Sequence, residues 1–213
     1  MPLVPLLVLA LAGKPVPAPT PSRNASLVGQ WESVARTPEG VGNILQFYPD
    51  GRVTQISASM AEADYRLVGD RLITTWKDLA TGKISDVETQ VEFEGSDRFV
   101  ERSDVDNAGD SWSERIGTAP RQGSPLVGRW CSLFLETLTS YREFTKDRMY
   151  NRLPVVTLRG TYAASGDRLT VTMTGQPSGE YPFRIEGKEL VIKSRSGEDR
   201  RYKRPETTLL QGY

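Results

Sequence analysis

The chain has 213 residues, with 27 Lys plus Arg balanced by 27 Asp plus Glu, no histidine and one cysteine, Cys131. The length suits one large or two small domains, and the even, interspersed charge gives no electrostatic reason to expect nucleic acid or an anionic membrane as partner. Without histidine or a second cysteine there is no Ser-His-Asp triad, no Cys-His pair, no Cys/His zinc site and no intrachain disulfide.

Residues 1–26 read as a leader and a tether. Leu3 to Leu11 is an apolar run too short to span a bilayer, and Ala10-Leu11-Ala12 follows it before Gly13. This fits the apolar core and small-residue cleavage site of a secretory signal peptide, although no Lys or Arg precedes it and Pro5 interrupts it. The expectation is an exported protein, secreted or periplasmic, with no integral membrane span in the mature chain. No cysteine follows the run, so a lipid anchor is not supported. The proline density from Gly13 to Ser26 favours an extended tether. Asn24-Ala25-Ser26 matches a glycosylation acceptor, a three-residue pattern too common to carry a function.

From residue 27 an internal repeat organises the chain. Leu27-Val28-Gly29-Gln30-Trp31 recurs as Leu126-Val127-Gly128-Arg129-Trp130. Phe47 matches Phe144 and Tyr65 matches Tyr162, with 18 residues from phenylalanine to tyrosine in both copies. Gly69-Asp70-Arg71-Leu72 matches Gly166-Asp167-Arg168-Leu169, and Val91 to Gly95 resembles Phe183 to Gly187. Each copy closes on a basic residue, Arg115 or Arg204. The reading is two domains, 27–117 and 126–205, a linker at 118–125 and a tail at 206–213.

Within each copy the pattern is that of strands. Arg168 to Thr174 alternates Leu169, Val171 and Met173 with Thr170, Thr172 and Thr174, and Val87 to Glu94 alternates in the same way. Turn signals separate the runs at Pro49-Asp50-Gly51, Gly69-Asp70, Thr81-Gly82, Gly95-Ser96-Asp97, Ser165-Gly166-Asp167, Glu186-Gly187 and Ser196-Gly197. No stretch keeps a capped helical stripe. The fold class expected is all-β, as two tandem small antiparallel up-and-down barrels of about eight short strands each.

A Gly-x-Trp at the start of the first strand, with a basic residue on the last, resembles the structural signature of the lipocalins and related calycin barrels. The residues that carry it are Gly29, Trp31 and Arg115, then Gly128, Trp130 and Arg204. The resemblance implies a tryptophan plugging one end of each barrel, a glycine that lets the chain approach, and an arginine packed across the indole. Applied within each copy, it pairs Trp31 with Arg115 and Trp130 with Arg204. This signature argues fold and names no ligand. Each copy is shorter than a typical single-barrel lipocalin, so a lumen would be small.

Other candidates weigh less. Asp104 to Asp110 begins like a calcium loop, but Ala108 and Arg115 stand where ligands are needed, so a polar hairpin turn is the better reading. Arg195 to Arg204 is locally basic and could bind an anion, but reads as a turn and solvated last strand offset by Glu198 and Asp199. Cys131 alternates with Trp130, which places it on the outer face if Trp130 is inside; it could pair with another chain in an oxidising compartment, but an inert, partly buried thiol is the better reading. Trp76, Phe93 and Phe99 in the first copy, and Met173, Tyr181 and Phe183 in the second, are candidates to line a ligand pocket or simply to fill a core. The functional expectation is an exported binder of a small apolar or amphipathic ligand; the alternative is a structural or protein-interaction module with filled barrels. No cofactor, metal or protein partner is indicated. Catalysis by carboxylates alone has no pair, such as Asp64 and Asp104, that spacing would bring together, so the chain is not read as an enzyme.

Overall fold

The computed structural model describes residues 24–78, 80–102, 109–119, 123–134 and 138–206. The apolar run, most of the tether, most of the Asp104–Asp110 loop and nearly all of the tail lie outside the described residues, and with them the expectation of export. A single helical turn, α1 (Asn24–Leu27), precedes the strands. The first repeat carries β1 (Gly29–Ser33), β2 (Val41–Phe47), β3 (Arg52–Val68), β4 (Arg71–Lys77), β5 (Ile84–Glu94), β6 (Arg98–Arg102) and β7 (Ser111–Ile116). The second carries β8 (Gly128–Phe134), β9 (Leu138–Phe144), β10 (Arg148–Ser165), β11 (Arg168–Met173), β12 (Gly179–Glu186), β13 (Glu189–Lys193) and β14 (Asp199–Lys203). Among the described residues no helix is long and apolar enough to cross a membrane.

The protein is all-β, as expected. Among the described residues each repeat has seven strands rather than about eight, because β3 and β10 run on for 17 and 18 residues. At about 3.4 Å per residue each spans roughly 55–60 Å, some three times an ordinary strand. Arg52 to Val68 contains no glycine or proline to interrupt it, and its burial alternates with the pleat. In β10 the proline that interrupts the pattern, Pro154, pairs with Ala58 beside a register shift between Pro154 and Val156, the kind of irregularity at which a sheet tolerates proline.

All fourteen strands form one antiparallel sheet closed into a ring in sequence order, with β1 joined to β14 through Glu32 opposite Lys203 and Ser33 opposite Tyr202. A further pairing crosses the ring. β3 lies antiparallel to β10 from Arg52 opposite Thr161 to Asp64 opposite Arg148. The pairings therefore run in two circuits. The first is β1, β2, β3, β10, β11, β12, β13 and β14; the second is β3 through β10 in chain order.

Neither circuit is made from one repeat. The first uses the opening strands of repeat one and the closing strands of repeat two, and the second uses the complementary pieces. The buried clusters follow the same division. Leu27, Trp31, Leu45, Phe47 and Val53 pack with Tyr162, Leu169, Met173, Phe183, Leu190, Ile192 and Tyr202. Ala63, Tyr65, Leu72, Val91 and Phe99 pack with Leu126, Trp130, Phe144 and Met149. Between them lie Ile44, Ile56, Ala58, Met60 and Tyr150. The repeat landmarks meet across copies. Phe47 packs edge-on against Tyr162 at 4.8 Å between ring centroids, and Phe144 against Tyr65 at 5.0 Å. Each tyrosine hydroxyl donates to a turn carbonyl of the other copy, Tyr65 to Thr145 and Tyr162 to Tyr48.

This crossing corrects the tryptophan–arginine pairs. The Arg204 guanidinium lies 3.8 Å from the Trp31 ring centre, and that of Arg115 lies 4.0 Å from Trp130. The residue types are those expected, and the partners are exchanged between copies because β14 closes against β1 and β7 against β8. The geometry accounts for each shared residue of the repeated pentapeptide. Leu27 and Leu126 are fully buried, and their carbonyls accept the indole N–H of Trp31 at 2.8 Å and Trp130 at 2.7 Å. The Val28 and Val127 carbonyls accept from Arg204 at 2.7 Å and Arg115 at 2.8 Å. Gly29 and Gly128 have φ of 110° and 124°, where a side chain is strained, and a Cβ on either would collide with the arginine.

Two outcomes are expected. A specific protease site placed within 118–125 and cut should leave two pieces that stay associated and β-rich on native size-exclusion chromatography. Elution as two separately folded monomers would contradict the shared cores. In thermodynamic cycles, Trp31→Ala should cost about 3–5 kcal/mol, as deletion of a buried large aromatic does. Arg204→Leu should cost about 1.5–3 kcal/mol, because it loses charged hydrogen bonds as well as the cation–π contact. Trp31 should couple to Arg204 and be additive with Arg115; denaturant midpoints of the single and double variants measure both.

Candidate functional site

The first circuit contains a cavity of about 410 Å³. Its walls come from alternate positions on neighbouring strands: Leu45 and Phe47 on β2, Val53 and Gln55 on β3, Leu169, Val171 and Met173 on β11. Ile192 on β13 and Arg200 and Tyr202 on β14 complete the lining. Gln176 and Pro177, beyond β11, and Ser194 and Arg195, beyond β13, mark one end. Trp31 and Arg204 close the opposite end. Burial pushes the Tyr202 phenol above its ordinary pKa, against the opposing influence of Arg200 beside it, so it stays a neutral hydroxyl near pH 7.

The structure brings together only some of the pocket candidates. Met173 and Tyr181 line the cavity. Phe183 is buried in the surrounding cluster and is not among the lining residues. Trp76, Phe93 and Phe99 lie in the second circuit, packed together. Phe99 is 5.8 Å from Phe93, 4.7 Å from Trp130 and 6.5 Å from Phe144, centroid to centroid. The Trp76 indole donates to Thr74 at 2.8 Å. Leu45, Ile192 and Tyr202 were not singled out from sequence, and Val171 was read only as part of a strand face. Their signal was the alternation itself, which marks the inward face of every strand without telling wall from filler.

Register places the two circuits in correspondence. Leu45 lies opposite Trp31 as Arg142 lies opposite Trp130, and Tyr202 opposite Leu190 as Ser113 opposite Phe99. Met173 corresponds to Trp76, and Ile192 to Glu101. So where the first circuit has a leucine, an isoleucine, a tyrosine and a methionine around space, the second has Arg142, Glu101, Ser113 and Trp76. Arg142 is buried, donating to Glu101 at 2.6 Å, to Ser113 at 2.7 Å and to Ser132 at 2.8 Å. It also faces the rings of Phe99 and Phe144 at 5.4 and 5.9 Å.

A second group of charges sits where the circuits meet. Arg152, with 2% of its side chain exposed, grips Glu32 in two bonds, Nε to Oε1 at 3.0 Å and Nη2 to Oε2 at 2.8 Å. Its Nη2 also reaches Glu62 at 3.4 Å, and Arg36 donates to the same Glu62 oxygen at 2.8 Å. These carboxylates are held by guanidinium groups, and among the described residues no three acidic or cysteine side chains cluster as a metal site would need. Cys131 is half-buried, and burial together with Glu114 raises its pKa, which disfavours the nucleophilic thiolate.

No family model matches the chain, and no curated protein or solved structure matches it.

The charge cluster carries a pH expectation. Burial acts to raise the Glu62 carboxyl, but the Arg36 hydrogen bond and the charges of Arg36, Arg152 and Lys203 outweigh it and hold the group below its ordinary 4.5. A carboxyl depressed on folding contributes stability above its unfolded value and loses it as pH falls through the folded one. Glu62→Gln should therefore lower the melting temperature at pH 7, and the gap from wild type should narrow as pH falls below 4.5. A gap that is constant from pH 7 to pH 3 would contradict this origin.

Proposed function

We propose that the chain forms two lipocalin-like barrels that share β3 and β10, and that the first holds a small apolar or amphipathic molecule while the second is solid. The observation that carries this reading is the cavity of about 410 Å³ in one circuit, set against its counterpart filled by Trp76, Arg142 and Glu101. The volume lies within the range of small-molecule sites, which are concave, largely apolar and marked by a few polar groups. The apolar run ahead of the tether supports an extracytoplasmic setting for such a binder. The second barrel has the makings of a scaffold: among its described residues, aromatic rings and a buried, ion-paired arginine stand at the positions that line the cavity in the first.

The neutral dye N-phenyl-1-naphthylamine tests the reading. It should bind saturably at about one molecule per chain, as a single site requires. Met173→Trp puts into the first circuit the residue its counterpart already carries, and should weaken dye binding at least about tenfold while the β-rich fold is kept, because occupied volume excludes the dye. Weak, non-saturating signal from wild type, or unchanged binding in the variant, would favour a purely structural module.

A further inference from the structure

The cavity's lining has a one-sided charge. Arg195 and Arg200 line it, and no aspartate or glutamate does. Arg200 is two residues from the inward Tyr202 on β14 and so shares its face. Arg195 stands on the turn after β13, with its guanidinium 6.0 Å from the ring centre of Tyr181, another wall residue. Neither arginine forms an ion pair with a described carboxylate. Their neighbours do. Arg184 is held by Glu186 and Asp199, and Arg201 by Glu186 and Glu189. Of the two acids between Arg195 and Arg200 in sequence, Asp199 is held by Arg184 at 2.8 Å, and Glu198 accepts from the Ser196 hydroxyl at 3.3 Å while its backbone N–H donates to Ser194.

Two unneutralised guanidinium groups at one end of an apolar chamber suit a particular kind of molecule. The walls below them are Leu45, Phe47, Val53, Val171, Met173 and Ile192. A hydrocarbon chain gains by leaving water for that surface, whereas a headgroup gains by staying among cations at the water-facing end. Gln176 and Ser194, at the same end, add neutral hydrogen-bonding groups. A cationic amphiphile would meet two like charges there.

Resting on the binding reading above, we propose that the ligand is an anionic amphiphile, a carboxylate or similar monoanion on a medium-length apolar tail, with its headgroup held by Arg195 and Arg200 and its tail against Leu45, Val171 and Met173. Both arginines are exposed, so the attraction is screened by salt and moderate in size.

Displacement of bound N-phenyl-1-naphthylamine from the full chain by decanoate, decanol and decyltrimethylammonium, each below its micelle concentration, tests this. Decanoate should displace the dye at roughly tenfold lower concentration than the ammonium compound, and its advantage should shrink as salt is raised. Arg195→Gln and Arg200→Gln should each weaken decanoate by about threefold to tenfold and leave decanol unchanged, as expected for loss of one charge-assisted contact near the surface. The Arg195→Lys/Arg200→Lys double variant should keep most of the preference for decanoate. Equal displacement by all three compounds would overturn the anion assignment while leaving the cavity as a binding site. Failure of the dye itself to bind would overturn both.

Discussion

The pairing of β3 with β10 is the constraint on which the remaining structure depends. Two strands of this length can satisfy their backbone groups along their whole extent only by lying against each other through the middle of the ring. Once they do, the strands that follow each one are carried to the opposite end from those that precede it. The opening of repeat one must then close with the end of repeat two, and the end of repeat one with the opening of repeat two. Every cross-copy contact is a consequence: Trp31 under Arg204, Phe47 on Tyr162, Tyr65 on Phe144. Strands of the two sequence repeats are thus interleaved within one chain, joined through the 118–125 connection. Such interleaving raises the sequence separation of native contacts, since β1 waits for β14, which slows folding relative to a chain of two local barrels.

The arginine–tryptophan lock shows how few residues are needed to close such an end. A cation over the indole face would contribute modestly by itself. Here the same guanidinium also satisfies carbonyls of the chain leading into the first strand: Val28 and Ser26 for Arg204, Val127 and Pro125 for Arg115. Those carbonyls lie just ahead of a strand, so the arginine does for the entry of the strand what a cap does for a helix. The glycine is needed because the arginine lies where its Cβ would be. The pentapeptide thus recurs for the architecture of the end, and its recurrence says nothing about what the interior holds.

Strands, turns and repeat were legible in the sequence because alternation and turn chemistry are local. Partnership was not. Tyr65 and Tyr162 occupy equivalent positions, so a contact from Phe47 to either satisfies the same pattern, and only the length of β3 and β10 decides between them. That length was itself hard to read, because β10 contains Pro154 and Gly160, which look like breaks, and both are accommodated within the strand. Met173 and Tyr181 were found at the cavity because they are large and alternate inward. Trp76, Phe93 and Phe99 share those properties and pack in the second circuit's core. What separates the two sets is the partner strand: Leu45 against Trp31 in one circuit, Arg142 against Trp130 in the other. That difference is visible only after register assigns which positions correspond.

The comparison between circuits bears on why there is a cavity at all. An apolar void forfeits dispersion contacts along its lining, and a chain selected only for stability would fill it. The fold does not forbid filling, because at the corresponding positions the second circuit carries Trp76, Arg142 and Glu101, with Arg142 bonded to Glu101. Nor was the filling there the simplest one. Arg142 is buried beside Phe99 and Phe144, and its charge is compensated by Glu101 and two serines, an arrangement whose desolvation cost an aliphatic core would avoid. The two interiors therefore differ at corresponding positions, one carrying an internal ion pair and the other an apolar chamber with two cations at one end that pair with no described carboxylate. Divergence of this kind leaves the architecture, carried by the lock and the β3–β10 pairing, unchanged, and places the difference between the halves at the inward positions where a ligand would be met.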